Sequence, residues 1–113
     1  MNGTDYTKSF RHSLWQMLAG TRGGMTRIRI LLLLRKRPYN MNQLHENLNM
    51  DYKTIQHHIR VLIDSRIIET EDEKKYGCVY FLSPFLERNM DMLDEITDKI
   101  GKKQIKRGRK NKW

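Results

Sequence analysis

The sequence predicts a mainly α fold with one small β-hairpin. Apolar residues recur at spacings of three and four through several separate stretches, and helix start and stop signals punctuate them. Only Ile67 to Leu82 holds two short β-prone runs about a polar turn. At 113 residues and 38% hydrophobic content, there is room for one small domain with a modest core, which favours support from a partner chain.

Ser9 to Ala19 reads as the first helix, with Phe10, Leu14, Met17 and Leu18 on one stripe and Gly20 as a stop. GTRGG, Gly20 to Gly24, is then a turn between helices. It is not a phosphate-cradling loop, since the Lys-Ser/Thr pair of that motif is missing. The second helix runs from about Met25 to Arg37, with Ile28, Leu31, Leu32 and Arg35 on a stripe and Pro38 enforcing the end. Its ILLLL run implies burial on more than one side. Arg35, Lys36 and Arg37 suit a helix C-terminus, where positive charge opposes the dipole, better than they suit a buried strand.

Asn40 caps a third helix, with Gln43 completing a capping box and Leu44 and Leu48 facing inward. Asn49 and Met50 turn the chain, and Asp51 caps a fourth helix from Tyr52 to about Ser65. At about 100° per residue, Ile55, Ile59 and Leu62 share one side of that helix with His58 beside them. Lys53, His57, Arg60 and Asp64 share the other, flanked by Gln56 and Thr54.

Ile67 to Glu71 and Cys78 to Leu82 form the hairpin about Asp72 to Gly77. Ser83 and Pro84 start a last helix that reaches about Ile100 and stops at Gly101. Leu86, Leu93 and Ile100 are seven apart and Ile96 interleaves, so the pattern approaches a heptad repeat with polar Asn89 at a core position. KKQIKRGRKNKW lacks apolar periodicity and reads as a disordered basic tail.

The formal net charge is +9, and a small basic protein suits nucleic acid phosphates or an anionic membrane surface. Its distribution is uneven: +6 over residues 22–66, −2 over 67–83, −3 over 84–101 and +7 over 102–113. The central basic region coincides with the third and fourth helices. A single cysteine, Cys78, excludes an intrachain disulfide and fits a reducing cytoplasm. The longest apolar run, Ile30 to Leu34, is too short to span a bilayer, and the N-terminus lacks a secretory apolar region. A soluble, cytoplasmic, nucleoid-associated protein is expected.

Behind the N-terminal helix, three helices, a hairpin and a closing helix follow the order of a winged helix-turn-helix. Base reading needs long polar side chains on a rigid helix in the major groove, which selects Lys53, Gln56, His57 and Arg60. Tyr52 and Thr54, near the helix start, suit phosphate. The alternative is that this is the solvated face of an ordinary helix. Lys74 and Lys75 at the wing tip suit the DNA backbone or minor groove, or are simply turn residues, since Glu69, Glu71, Asp72 and Glu73 adjoin them. The tail adds affinity without sequence information, or serves solubility; its RGRK faintly resembles an AT-hook without the proline.

His57 and His58 diverge by about 100° on a helix and so do not readily share an ion. No metal site or cofactor is expected, His58 being a half-buried packing residue and His45 a surface one. Neither paired carboxylates nor a nucleophile with its base stands in a credible arrangement, so no enzyme is expected.

Leu18 to Ile68 resembles archaeal winged-helix transcription regulators of the ArsR-like kind, most specifically at GTRGG, RPYNMNQL and LNMDYKTIQHHIRVL. The resemblance implies a homodimer whose first and last helices pair across a two-fold axis, each fourth helix reading a half-site. It also implies Asp51 as the cap and Tyr52, Lys53, Thr54, Gln56, His57 and Arg60 as the DNA-facing set. Metal-sensing members carry paired cysteines near the reading helix or ligands on the terminal helices, and this chain has neither pattern.

Taken together, residues 1–20 are expected to be an N-terminal dimerisation helix, 21–83 the winged helix-turn-helix domain, 84–101 a C-terminal dimerisation helix and 102–113 the tail. Phe10, Leu14, Leu18, Leu86, Leu93, Ile96 and Ile100 are the dimerisation candidates. The expected function is sequence-specific transcription regulation as a homodimer on double-stranded DNA, with residues 52–65 in the major groove and the wing, 72–77, on the backbone or minor groove. The basal transcription machinery is a further candidate partner. Two alternatives are a nonspecific architectural chromatin protein that uses its tail and a winged-helix scaffold for other proteins.

Overall fold

The structure is a computed structural model that describes residues 3–106. Its helices are α1 (Gly3–Leu18), α2 (Gly24–Lys36), α3 (Met41–Leu48), α4 (Tyr52–Asp64), α5 (Pro84–Arg88) and α6 (Met90–Lys106). Strands β1 (Tyr39–Asn40), β2 (Ile68–Thr70) and β3 (Val79–Leu82) form one antiparallel sheet in the order β1-β3-β2. The expected mainly α architecture with a hairpin is present, and a short third strand joins it.

Local chemistry explains most boundaries. Asn40 Oδ1 accepts from the Gln43 amide at 2.8 Å while Gln43 Oε1 accepts from the Asn40 amide at 2.9 Å, a complete capping box. Asn49 takes the left-handed conformation, φ 54°, between α3 and α4, and the Asp51 carboxylate accepts from the Thr54 amide. At the other end of α4, Arg66 is left-handed, φ 61°. Its amide bonds the Ile63 carbonyl and the Ile67 amide bonds Leu62, the Schellman pattern with arginine where glycine is usual. Gly24 opens α2 where a Cβ would lie 2.0 Å from the Leu18 carbonyl oxygen, so only glycine permits that approach of α1 and α2.

The core gathers Phe10, Leu14 and Leu18 of α1, Ile28, Ile30, Leu31 and Leu34 of α2, and Leu44, Ile55 and Leu62 of the helical pair. Ile68 and Leu82 of the sheet and Leu86, Met92, Leu93 and Ile96 of α5 and α6 complete it. Helix α2 lies at the centre, packing on α1, α3, α4 and β3. The ILLLL run is buried or half-buried throughout, as its composition implied.

Several expectations are corrected. Helix α1 starts at Gly3 rather than Ser9. The pair Tyr39–Asn40 is a strand registered on Tyr80 and Val79; proline favours extended backbone around it, and two residues leave no alternation to read. The single closing helix is two. Asn89 ends α5 with φ −130° and ψ 46°, its Nδ2 donating to the Phe85 carbonyl at 2.9 Å, a local bond that competes with helix continuation. Asn89 is thus a helix break and not a polar position in a heptad seam. Helical backbone passes Gly101 and continues to Lys106. Glycine costs only about 1 kcal/mol there, and the following Lys-Lys-Gln are good helix formers. The remainder of the predicted tail, 107–113, lies outside the described residues.

Most of the dimerisation candidates pack within the chain itself. Phe10, Leu14, Leu18, Leu86, Leu93 and Ile96 are at most 4% exposed within one chain. They have almost no area left to offer a partner, because α1 and α6 pack on each other first. Ile100 of α6 stays half-buried, and the outer surface of α1 adds Tyr6 and Trp15. Arg11 to Glu95 at 2.8 Å links α1 to α6, and Arg35 to Asp94 at 2.7 Å links α2 to α6.

Candidate nucleic-acid interface

Helix α4 is strongly two-sided. Ile55, His58, Ile59 and Leu62 are buried, while Lys53, Gln56, His57 and Arg60 are exposed on the opposite side. This brings the four predicted base readers together on one solvent face. Tyr52 is 41% exposed and meets the His45 ring edge-on, with centroids 5.4 Å apart. Thr54 is half-buried, and the Asp51 carboxylate lies 3.2 Å from its amide. A phosphate on the axis of α4 would meet that carboxylate, so Tyr52 and Thr54 can serve phosphate only from the side.

The wing between β2 and β3 stands beside α4. Lys74 and Lys75 are exposed, with both of their amides turned onto Asp72. Three features were missed by sequence reasoning. Arg60 Nη1 lies 3.2 Å from the wing carboxylate of Glu73 and 3.9 Å from Asp64 one turn along α4. Tyr76, 98% exposed, projects from the wing next to the two lysines. Asn42, exposed at the start of α3, borders the cleft between α4 and the wing together with Gln56. An aromatic residue directly after a lysine pair was the readable signal for Tyr76; nothing in the sequence pairs Arg60 with Glu73.

Beneath the exposed face, His58 is buried against Arg27 of α2, with Nη1 to Nδ1 at 3.0 Å. Burial lowers the pKa of both, and the arginine charge pushes that of His58 down further. Burial likewise pushes the Tyr80 hydroxyl above its usual range at the base of the wing. The His45 ring contacts the Met50 carbonyl and Asn42. Among the described residues, no group of three or more His, Cys, Asp or Glu could hold a metal ion. No helix among them is long and apolar enough to cross a membrane.

Fold and site together define a winged helix-turn-helix protein whose fourth helix presents a polar, basic face beside the wing. Residues 25–70 match the family model described as bacterial regulatory protein, arsR family. The chain is similar to reduced HlyU from Vibrio cholerae, with a TM-score of 0.61 and 18% identity over 85% of this chain and 97% of that one. It is also similar to Mb0332 from Mycobacterium bovis, described as a homodimeric winged helix-turn-helix DNA-binding domain of a possible ArsR-family transcriptional regulator. That match has a TM-score of 0.62 and 15% identity over 88% of this chain and 87% of that one. Rv0081 from Mycobacterium tuberculosis gives a TM-score of 0.60 at 15% identity, over 93% and 99% of the two chains. No curated protein matches the sequence. At these identities the structural likenesses establish the fold.

Proposed function

We propose that the protein is a sequence-specific DNA-binding transcription regulator of ArsR-like type, nearest to archaeal members, that acts as a homodimer. One observation carries the reading: a rigid helix buries Ile55, His58, Ile59 and Leu62 and turns Lys53, Gln56, His57 and Arg60 to solvent beside a wing. The arsR-family match over this same segment supports it. Gln56 suits adenine, Lys53 and Arg60 suit guanine, and each good bidentate contact discriminates by about 1–3 kcal/mol. Lys74, Lys75 and Tyr76 suit the backbone or minor groove. The homodimeric neighbour supports two-fold pairing, with half-sites about 34–36 Å apart. The chain works by binding rather than catalysis and resides with the nucleoid.

Selection of bound duplexes from a random pool, followed by gel-shift titration, tests this. A palindromic consensus bound at least about 10³-fold more tightly than random duplex is expected, and Arg60→Ala should erode that ratio more than Lys110→Ala. Equal affinity for all sequences would instead favour an architectural chromatin role, and no binding at low salt a protein-interaction scaffold.

A further inference from the structure

Arg27 is 5% exposed and His58 7% exposed. Besides His58, the Arg27 guanidinium donates through Nε to the Met17 carbonyl of α1 at 2.8 Å and through Nη2 to the Thr21 hydroxyl in the following turn. One side chain therefore ties together the end of α1, the turn, α2 and α4. Arginine only donates, so His58 Nδ1 must accept, which fixes the neutral ring with its proton on Nε2. The fit is close: a Cβ on Gly23 would lie 2.6 Å from His58 Cε1 and 2.8 Å from Arg27 Nη1. Gly23 has φ −85°, so the backbone itself would accept alanine and only this packing opposes it.

We propose that Arg27 and His58 are positioning residues for the exposed face of α4, and that His58 performs this role only as a neutral acceptor. The inference rests on the reading of that face as the DNA-binding surface. His57, next in sequence, points to solvent from the same helix, so a small rotation or shift at His58 re-aims Lys53, Gln56, His57 and Arg60 together. Protonating His58 places a donor against a donor and a second positive charge against a buried guanidinium, breaking the link. The charged or titratable groups facing His58 among the described contacts are Arg27 from α2 and His57 on α4, whose rings are 5.4 Å apart centroid to centroid for the two histidines. The turn presents Thr21 and Gly23, and α1 presents the Met17 carbonyl.

His57 is a second imidazole on the same helix, exposed on the face read as meeting DNA. The test therefore uses the full chain with His57→Gln as background. Affinity for the selected and a random duplex is measured between about pH 5 and 8, the window around the ordinary histidine pKa. The ratio of selected to random affinity should fall roughly 2- to 30-fold on acidification, the range for couplings carried through packed networks. Adding His58→Gln, which keeps an acceptor and removes the titration, should flatten the profile. Gly23→Ala should lower the ratio at every pH. A profile unchanged by His58→Gln overturns the proposal.

A second readout needs no DNA. Amide resonances of Thr21, Gly23 and residues along α4 should follow one titration with a midpoint below the ordinary histidine value, absent in His58→Gln. Independent titrations, or none, would refute the link even if DNA binding were intact. Loss of specific binding at all pH values together with an intact shared titration would instead refute the DNA reading and leave the link standing.

Discussion

Glu73→Gln should strengthen DNA binding. In the free protein Glu73 Oε2 holds Arg60 Nη1 at 3.2 Å, with Asp64 as a weaker second anion at 3.9 Å. The two side chains of the closer pair are 61% and 43% exposed, so water screens them and the pair is worth about 0.2–1 kcal/mol. A guanine edge must recruit the same guanidinium N–H groups. Glutamine keeps the length and an acceptor oxygen but removes the charge that competes with the base. Relieving the pair alone then raises affinity for the selected duplex roughly 1.4- to 5-fold. A random duplex gains only from the loss of one negative charge near the backbone, a smaller effect that salt screens. Fluorescence anisotropy on both duplexes, at about 50 and 200 mM salt, separates the two contributions. A weaker complex with the selected duplex, from a variant with unchanged unfolding midpoint, would refute the reasoning. Glu73 would then be holding Arg60 in the orientation that DNA requires.

Three further outcomes test the local physics. Asn40→Ala removes the reciprocal capping box of α3 and should cost about 1 kcal/mol in chemical denaturation; no change would mean that β1 alone fixes this helix start. Arg66→Gly relieves a left-handed arginine after α4 and should add roughly 0.5–1 kcal/mol, read as a higher thermal midpoint. Because the folded pKa of His58 is lowered, the unfolded chain binds a proton first as pH falls through about 6.5. Stability should therefore be full above that pH and decline below it, and His58→Gln should lessen the decline in urea titrations.

Sequence legibility followed the range of the interactions. The capping box at Asn40, the Asp51 cap and the Ser83-Pro84 start depend on residues three or four apart, and each was readable. The two-sidedness of α4 was readable for the same reason, since a helix projects its own sequence onto its faces. What escaped depends on tertiary neighbours. Nothing in the spacing of α2 singles out Arg27, whose burial is made by α1 and α4 closing over it. The stripes of α1, α5 and α6 are packed into the core of the chain itself, which spacing could not reveal, because periodicity shows that a face is buried without showing what buries it. Asn89 was misread since a polar residue at heptad spacing and a helix-breaking asparagine look alike until its side chain is seen on the Phe85 carbonyl.

The formal charge also changes meaning once contacts are known. Of the basic residues in the described helices, Arg11 and Arg35 are bound to Glu95 and Asp94, Arg27 is buried, and Arg60 is held by the wing. The +9 total therefore overstates what meets a phosphate, and polarity matters more than sum. Helix α4 packs on α3, β2 and α2, whereas α6, whose four acids and four lysines cancel, packs on α1 and α5. Asp94 and Glu95 of α6 are taken up by Arg35 and Arg11, so attraction of a duplex falls to the exposed lysines, Lys53 on α4 and Lys74 and Lys75 on the wing. The ion pairs linking α6 to α1 and α2 are exposed and contribute little to the fold, so added salt should weaken attraction of a duplex to these lysines faster than it weakens the fold.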